Sequence, residues 1–452
     1  MIPTTPHRGR AHAQAGTGTT SFDLEGGTLA LLESSHDVPL VTLVVALRCG
    51  SADDPPGKSG LARIAVRMLR RGCESMTSEQ IDFRIDSLGA EMAVDTSHST
   101  VAIHAQVIAR NLDAFADLLS RLLSTATFPE EELARLKRES AAEIVEARDN
   151  DRIVAQKALQ RTLFEGHPYG LSSGGTTQSV QAITADDVKA FYRRFVVREN
   201  IVIGIAGDVT AEKAPALAAR LVAGLPEGQR APDTALEPTM KPGRRLLVVD
   251  KPERTQTQIL VGTLGTSPHD EDHVPLVVGN AVFGGTFTSR LMKEIRSKRG
   301  WSYGASARTG VDRRRQSWVL WTFPAAEDAG PCLRLSLELL DAWVAGGVTP
   351  REVAFIQRYL VRSHAFEVDT ATKRVHQALD RECLTLPTDY FSAWLDRVRA
   401  VTPEAAMAAV KKRIHPQDLL VVVVGTAAQV LDPLRSAIPG LREVSVVPFD
   451  TE

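Results

Sequence analysis

Two stretches of the chain have the same sequence pattern: ITADDVKAFYRRFVVRENIVIGIAG at residues 183–207 and VTPEAAMAAVKKRIHPQDLLVVVVG at residues 401–425. In each, a threonine precedes a short helical pattern with a basic end, and an apolar run then ends on a glycine. Threonine in that place is a typical helix N-cap, and a short run of β-branched residues favours a buried strand. The two copies keep a constant offset of 218 residues, from 183 to 401 and from 207 to 425, which predicts an internal duplication.

The duplication extends outward from these stretches. A helix–turn–helix pattern also recurs at an offset of about 220 residues. Its turn is at Phe128-Pro129-Glu130 in the first half and at Val348-Thr349-Pro350 in the second. Between the halves, residues 225–244 hold four prolines and two glycines and predict a linker. We therefore predict an α+β fold of two duplicated domains, residues 21–224 and 245–452, each a twisted, mostly antiparallel sheet covered by helices. The domains are expected to face each other across the linker and to leave a cleft, a common location for a binding site.

The elements within each half follow from periodicity and from turn residues. In the first half we predict strands over 29–33, 40–49, 90–95, 99–107 and 201–206, and helices over 61–71, 78–88, 112–123, 130–148 and 185–196. In the second half we predict strands over 246–250, 257–265, 305–310 and 317–323, and helices over 332–345, 349–366 and 372–384.

Composition narrows the class of protein. The chain has 452 residues, a net charge near −2 and a hydrophobic share of 43%, as expected for a soluble protein of more than one domain. Basic and acidic residues are interspersed, so neither nucleic acid nor an anionic membrane is expected as a partner. Residues 1–20 are polar and predict a flexible tail; no run of about 18 apolar residues occurs, and the four cysteines form no metal-binding pairs. A cytoplasmic location is the expectation.

The stretch TFTSRLMKEIRSKRGWSYG, residues 286–304, carries the polar residues of greatest chemical interest. It predicts a basic amphipathic helix that follows a turn at Phe283-Gly284-Gly285 and ends before Gly300. Arg296 and Tyr303 offer a fixed cation and a phenolic donor, a pair suited to a carbonyl oxygen or a developing oxyanion. Taken alone, the same residues also fit a surface helix with an arginine and a half-buried tyrosine.

Four segments together resemble the pitrilysin-type (inverzincin) zinc metallopeptidases: residues 50–69, 88–91, 166–170 and 284–305. The resemblance runs over both halves, from about Phe22 to Val430, and is most specific in the last segment. It implies chains of two similar domains, and pairs of chains that close like shells around a peptide. In this family the first helix carries H-x-x-E-H, whose two histidines bind zinc and whose glutamate acts as the general base.

Here the corresponding helix reads Arg63-Ile64-Ala65-Val66-Arg67. Arginine has no lone pair to offer a metal, and Val66 can accept no proton. Glu143 lies where the family places its third ligand; it is either that ligand retained or an ordinary helix-surface carboxylate. No metal cofactor is therefore expected in this chain, and Arg63 and Arg67 are expected to pair with Glu143 in place of a metal.

The second half keeps what the family uses to bind substrate. Arg296 and Tyr303 match the Arg/Tyr pair that hydrogen-bonds the scissile carbonyl and the tetrahedral intermediate. Gly284, Gly285 and Thr286 resemble a glycine-rich loop that touches the substrate in some non-catalytic members. A simple helix-entry turn is the alternative for these glycines.

A chain without the zinc motif but with the Arg/Tyr pair is implied to be the non-catalytic subunit of a heterodimeric zinc endopeptidase. Its partner would be a homologous subunit with H-x-x-E-H and the zinc, and its substrate a peptide or an unfolded polypeptide. Two alternatives stay open. One is a structural pseudopeptidase that holds an assembly together, and the other is a peptide-binding homodimer without catalysis.

Overall fold

The computed structural model describes residues 11–13, 18–233 and 235–452. The strands are β1 Ala11–Ala13, β2 Thr20–Asp23, β3 Leu29–Ser34, β4 Leu40–Leu47, β5 Gly72–Cys73, β6 Met76–Thr77, β7 Glu91–Thr96, β8 Val101–Ile108, β9 Ile201–Gly207, β10 Arg244–Asp250, β11 Gln258–Leu264, β12 Ala305–Thr309, β13 Ser317–Thr322, β14 Leu420–Gly425 and β15 Leu441–Pro448.

The α-helices are α1 Leu61–Met68, α2 Ser78–Ser87, α3 Leu112–Ser124, α4 Glu130–Glu146, α5 Asp151–Leu163, α6 Thr177–Ala182, α7 Ala185–Phe195, α8 Ala214–Val222, α9 His273–Asn280, α10 Ala329–Gly346, α11 Pro350–Ser363, α12 Ala371–Cys383, α13 Trp394–Ala400, α14 Pro403–Arg413 and α15 Ala427–Ala437. Two segments have π-helical geometry, Ala281–Gly285 and Met292–Ser297. No helix among the described residues is long and apolar enough to cross a membrane.

The chain forms two compact units, each assembled from three segments. The first contains the described residues within Met1–Ala142, Ser172–Thr234 and Ala365–Ser392. The second contains Glu143–Leu171, Ala235–His364 and Ala393–Glu452. Each unit has its own sheet, covered by helices.

Both sheets have the same core topology. In the first unit the order is β3-β9-β4-β8-β7, extended at the β3 edge by β2 and β1; in the second it is β10-β14-β11-β13-β12, extended at the β10 edge by β15. In each core the first strand pairs in parallel with the last, which pairs antiparallel with the second. This repeated order confirms the predicted α+β fold of two duplicated, mostly antiparallel sheets.

The two stretches that predicted the duplication form the same pair of elements. Thr184 accepts a hydrogen bond from the Asp187 backbone N–H at the start of α7, and Thr402 accepts one from Ala405 at the start of α14. The strand that follows is central in its sheet, which explains its apolar run.

One helix of each repeat covers the sheet formed mainly by the other repeat. Helix α12, from the C-terminal half, lies in the first unit, where Val375 and Leu379 join the apolar cluster around Val44 and Val202. Helix α5, from the N-terminal half, lies in the second unit, and its Leu159 packs over Gly262 of β11. The compact units therefore do not follow the linear order of the repeats.

Two local predictions read differently in the structure. Phe283-Gly284-Gly285 was predicted as a turn, but it continues α9 as the π-helical end of that helix. Within the predicted tail 1–20, residues 1–10 and 14–17 lie outside the described residues, whereas Ala11–Ala13 pairs with β2.

Candidate functional site

Helix α1 carries the residues that the sequence predicts at the family's zinc-binding positions. The helix begins after Gly60, whose φ is 93°, and Asp54 caps it by accepting the Gly60 and Ala62 backbone N–H groups at 2.8 Å. Burial raises the pKa of Asp54 to about 7, against the backbone hydrogen bonds, which act to lower it. The Asp54 cap thus fixes the start of α1, although the helix carries no residue that could bind a metal.

The three positions of the motif do not fit zinc. Val66 is only 1% exposed and lies in the core. The Nη1 atom of Arg67 donates to Ser140 Oγ of α4 at 3.2 Å, and its Nη2 atom lies 4.0 Å from Glu139 Oε2. Among the residues that the structure describes, no group of three or more histidine, cysteine, aspartate or glutamate side chains could hold a metal ion. A cation at Arg67 occupies the place where a zinc ligand would be needed, so the residues present do not fit the metal.

Arg63 and Glu143 each make interactions of their own. The contacts resolved for Arg67 are with Ser140 and Glu139, one turn before Glu143 on α4. The pairing of the two arginines with Glu143 stays a prediction.

Within the stretch 286–304 only residues 290–297 are helical, and most of that helix is widened. Over Met292–Ser297 it has π geometry, in which the Lys298 N–H reaches back to the Lys293 carbonyl at 3.0 Å. The Trp301 N–H then donates to the Ile295 carbonyl at 3.2 Å. Such π-helical turns are rare and occur often at functional sites.

The backbone on both sides of Tyr303 is held firmly. Ser302 is buried, and its Oγ donates to the Gly304 carbonyl at 2.8 Å and accepts from the Phe323 N–H at 3.2 Å. Trp301 packs against the core of the second unit, and Gly300 takes a φ of 68° to let the chain turn there. The loop therefore fixes the start of the Tyr303 side chain while leaving its ring outside.

The structure brings Arg296 and Tyr303 together and adds Phe287. The Arg296 guanidinium carbon lies 4.5 Å from the Phe287 ring centroid and 5.7 Å from the Tyr303 ring centroid. Phe287 is 70% exposed and Tyr303 81% exposed. The guanidinium is thus a cation held between two aromatic rings at the surface.

In the part of the chain that the structure describes, the Arg296 guanidinium makes no ion pair and no hydrogen bond besides its contacts with the two rings, and the Tyr303 hydroxyl has no hydrogen-bonding partner. By contrast, Arg290, six residues earlier, donates to both Glu352 carboxylate oxygens, at 2.9 and 2.7 Å. Arg299 and Lys298 both pair with Glu294. Arg296 therefore differs from Arg290, Lys298 and Arg299 in presenting free donors to solvent.

The three small residues before the helix have different environments. A Cβ atom on Gly284 would lie 2.6 Å from the Ala307 nitrogen and 2.8 Å from Leu291 Cδ1, so this glycine permits close packing against β12. A Cβ atom on Gly285, which is exposed, would come no closer than 3.3 Å to any heavy atom outside its chain neighbours. Thr286 is buried, and its Oγ1 lies 3.4 Å from Thr288 Oγ1.

Phe287 was missed by the sequence reasoning. Its signal is an aromatic residue in a polar turn, two residues after Gly285 and nine residues before Arg296. An amphipathic pattern assigns large apolar residues to the core, and here the actual core residues are Leu291 and Ile295.

The chain is a duplicated α+β protein with a peptidase-like first helix that carries no metal ligand, and its second half has an exposed Arg/Tyr pair. These features define a peptidase-related protein. The chain belongs to the M16 peptidase family. Residues 29–177 match the family profile described as insulinase (peptidase family M16), and residues 182–360 match the one described as the peptidase M16 inactive domain.

Similar proteins agree with this assignment. The chain is 25% identical over 63% of its length to an uncharacterized zinc protease of Rickettsia bellii, of which the match covers 68%. It is 20% identical over 87% of its length to a non-peptidase homolog, YmxG, of Helicobacter pylori, with 91% of that protein covered. A solved peptidase M16 inactive domain from Pseudomonas fluorescens superposes with a TM-score of 0.83 at 25% identity, covering 90% of this chain and 97% of that one.

The matches and the replaced motif agree on the type of family member. The second half matches a domain described as inactive, and a relative that covers most of the chain is described as a non-peptidase. In the first half, Arg63, Val66 and Arg67 are the residues predicted to replace the two zinc-binding histidines and the general base. The chain is a catalytically inactive member of the M16 family.

Proposed function

We propose that this chain is the non-zinc subunit of a heterodimeric M16 endopeptidase. Its partner, a homologous subunit with H-x-x-E-H, would supply the zinc and the general base. Arg296 and Tyr303 of this chain would hydrogen-bond the scissile carbonyl of a peptide or an unfolded polypeptide. The observation that carries the proposal is the pair of free donors held side by side, the guanidinium on the π-helical segment and the phenol on a fixed loop.

The chemistry asked of the pair is stabilisation of negative charge. When a peptide carbonyl is attacked, its oxygen gains charge, and donors that are already oriented lower the barrier without further reorganisation. A guanidinium adds a full positive charge to its hydrogen bonds, and such charge-assisted bonds are stronger than neutral ones. Packing between two rings limits the motion of Arg296, so less order has to be created when the substrate binds.

Several relatives support a division of labour. The proteins from Rickettsia bellii and Streptomyces coelicolor are described as zinc proteases, whereas the one from Helicobacter pylori is described as a non-peptidase homolog. A family that holds both types offers an active chain as the partner for an inactive one. The cytoplasmic location predicted from the sequence remains part of the proposal.

The test uses this chain together with an H-x-x-E-H homologue from the same organism. The mixture is expected to cleave an unfolded polypeptide, and this chain alone is not. Arg296→Ala or Tyr303→Phe is expected to lower kcat by about 10²–10³, the usual effect of losing an oxyanion donor. Arg299→Ala is the matched control, because Arg299 lies three residues away and pairs with Glu294.

The outcomes separate the alternatives. Unchanged turnover with Arg296→Ala and Tyr303→Phe would refute the assigned role. A stable complex with a homologue but without any cleavage would favour the structural pseudopeptidase. Peptide binding by a homodimer of this chain, with no partner required, would favour the non-catalytic binding protein.

A further inference from the structure

Helix α11, Pro350–Ser363, has an outer face that carries only cations and aromatic rings. Arg351, Phe355, Arg358, Tyr359 and Arg362 are all exposed. At 100° per residue these five positions fall within an arc of about 100°. The opposite side of the helix holds the buried Val353 and Ile356. We call the five exposed residues the α11 stripe.

The charges of the stripe are not neutralised by the protein. In the part of the chain that the structure describes, Arg351, Arg358 and Arg362 make no ion pair and no side-chain hydrogen bond. The one carboxylate on the helix, Glu352, is already engaged by Arg290 and by the Thr349 cap. These contacts hold the pKa of Glu352 down at about 2 although burial acts to raise it, so it stays ionised and paired. Three positive charges of the stripe therefore face solvent.

The equivalent helix of the first repeat has a different surface. In α4 the Arg135 Nε atom pairs with Glu139 at 3.2 Å within the helix, and Glu139 also accepts from Arg71 at 2.5 Å. At the offset of 220 residues, the positions of Arg135 and Glu139 are occupied in α11 by Phe355 and Tyr359. The second repeat thus has aromatic rings where the first has a salt bridge, and its remaining arginines lack the acidic partners.

The stripe is costly for the helix that carries it. Arg351 lies in the first turn, where the helix dipole disfavours a cation. Phe355 and Tyr359 are 46% and 45% exposed, so large apolar surface is left in water. Both the cation in the first turn and the exposed rings lower the stability of the free helix. Such features are expected on a surface that a ligand covers.

We propose that the α11 stripe binds an acidic segment of an extended polypeptide. Carboxylates of the ligand would pair with the three arginines, and its apolar side chains would pack on the two rings between them. Arg351 and Arg362 are separated by about 16 Å along the helix, which an extended chain spans in about five residues. A segment that alternates acidic and apolar side chains meets both demands. Because the chain as a whole carries a net charge of −2, a polyanion such as nucleic acid fits it less well.

The experiment measures binding to the full chain alone by fluorescence anisotropy. The probes are three labelled peptides of equal length that alternate alanine with glutamate, glutamine or lysine. The glutamate peptide is expected to bind most tightly, and its affinity is expected to fall with rising salt. The variant Arg351→Gln/Arg358→Gln/Arg362→Gln is expected to weaken binding about tenfold, given the modest strength of each exposed ion pair.

A matched control removes the same charge elsewhere. Arg110, Lys189 and Arg193 are also exposed and lie in the first unit, so Arg110→Gln/Lys189→Gln/Arg193→Gln is expected to leave the affinity unchanged. Thermal unfolding of both triple variants verifies that they fold. Equal losses in the two triple variants, equal binding of the glutamate and lysine peptides, or tighter binding of single-stranded DNA than of the glutamate peptide would each overturn the proposal.

This inference does not require the proposed function. Binding is measured without a partner and without turnover. A two-chain mixture that does not cleave, together with a retained preference for the glutamate peptide, would contradict the proposed function alone. Retained cleavage with no preference for the glutamate peptide would contradict the α11 stripe alone.

Discussion

The absent side chain of Gly204 makes room for Leu379. A Cβ atom on Gly204 in β9 would lie 2.6 Å from the Cδ1 atom of Leu379 in α12. The same arrangement recurs in the second unit, where a Cβ atom on Gly262 in β11 would lie 2.8 Å from Leu159 Cδ1 in α5. Leu159 and Leu379 are themselves equivalent at an offset of 220 residues. Each sheet therefore has a glycine that receives a leucine from the other repeat's helix.

Leu379→Ala is expected to destabilise the first unit by about 2–5 kcal/mol, the range for removing a buried leucine. Leu379 is 4% exposed and belongs to the apolar cluster between α12 and the sheet. Urea denaturation monitored by circular dichroism measures the loss. Gln377→Ala, a half-buried position on the same helix, serves as the control. A loss no larger than that of the control would mean that the helix does not dock as described.

Gly204→Ala provides a second test of the same contact. The added methyl group should overpack the site and cost about 1–3 kcal/mol in the wild-type background. Leu379→Ala empties the same space. The loss of stability in the double variant Gly204→Ala/Leu379→Ala is therefore expected to be smaller than the sum of the two single losses. Strict additivity would show that residues 204 and 379 do not touch.

Much of the fold could be predicted from the sequence, because duplication leaves a signal that one chain contains. Thr184 and Thr402 cap their helices as expected, and the strands that follow are central in both sheets. The exchange of α5 and α12 could not be predicted. Helical periodicity shows which face of α12 is buried, with Val375 and Leu379, but it does not show against which sheet.

The candidate site was predicted in part for a similar reason. Arg296 and Tyr303 were found through the motif they match, and the structure does bring them close. Phe287 and the π geometry of Met292–Ser297 were not predicted, because neither departs from an ordinary amphipathic pattern. An inserted helical residue changes the direction of side chains without changing which residues are apolar.

Gly284 and Gly285 are expected to respond differently to substitution. Gly284→Ala brings a methyl group within 2.6 Å of the Ala307 nitrogen, so unfolding should become easier by about 1–3 kcal/mol. Gly285→Ala has more room, and its effect on stability should stay within about 0.5 kcal/mol. If Gly285 touches substrate, Gly285→Ala will raise KM in the two-chain enzyme at unchanged stability. An unaltered KM would leave the helix-entry role as its function.

Restoring the zinc motif is expected to restore zinc binding. The change is Arg63→His/Val66→Glu/Arg67→His, which places two histidines on one face of α1. Zinc content after dialysis, measured by mass spectrometry, should be negligible for the natural chain and stoichiometric for the triple variant. Adding Glu143→Gln should reduce it again if Glu143 is the retained third ligand. Zinc in the natural chain would contradict the predicted loss of the site, and indifference to Glu143→Gln would show that Glu143 is only a surface carboxylate.

His273 is expected to make stability depend on pH. It is buried at the start of α9, with its Nδ1 atom 2.8 Å from Thr266 Oγ1, and burial lowers its pKa from 6.5 to about 4. The unfolded chain therefore binds a proton at a higher pH than the folded chain does. Stability from this group is complete above pH 6.5 and is lost as the pH falls towards about 4. The loss is about 3 kcal/mol at most.

The check is urea denaturation between pH 6.5 and pH 4.5, a window that lies above the pKa of Asp272, which is lowered to about 2 although its burial acts to raise it. In that window the stability of the natural chain relative to His273→Gln should decrease as the pH falls, because glutamine can still hydrogen-bond Thr266 but does not titrate. Asp54, whose pKa burial raises to about 7, changes stability in the opposite sense but equally in both proteins. His269→Gln, in the preceding loop, is the control. The same slope in His273→Gln and in the natural chain would show that His273 titrates normally in the folded state.

Phe287 is expected to act on catalysis through Arg296. The ring lies 4.5 Å from the guanidinium carbon and is 70% exposed, so its removal should leave the fold intact. A cation–π contact at an exposed site contributes about 0.5–1 kcal/mol, so Phe287→Ala should lower kcat of the two-chain enzyme by about two- to fivefold. Phe287→Tyr should keep the activity, because the ring remains. Thr288→Ala, the next exposed residue, is the control. If Phe287→Ala instead lowers kcat as much as Arg296→Ala does, Phe287 itself contacts the substrate; if kcat does not change, the ring has no part in holding Arg296.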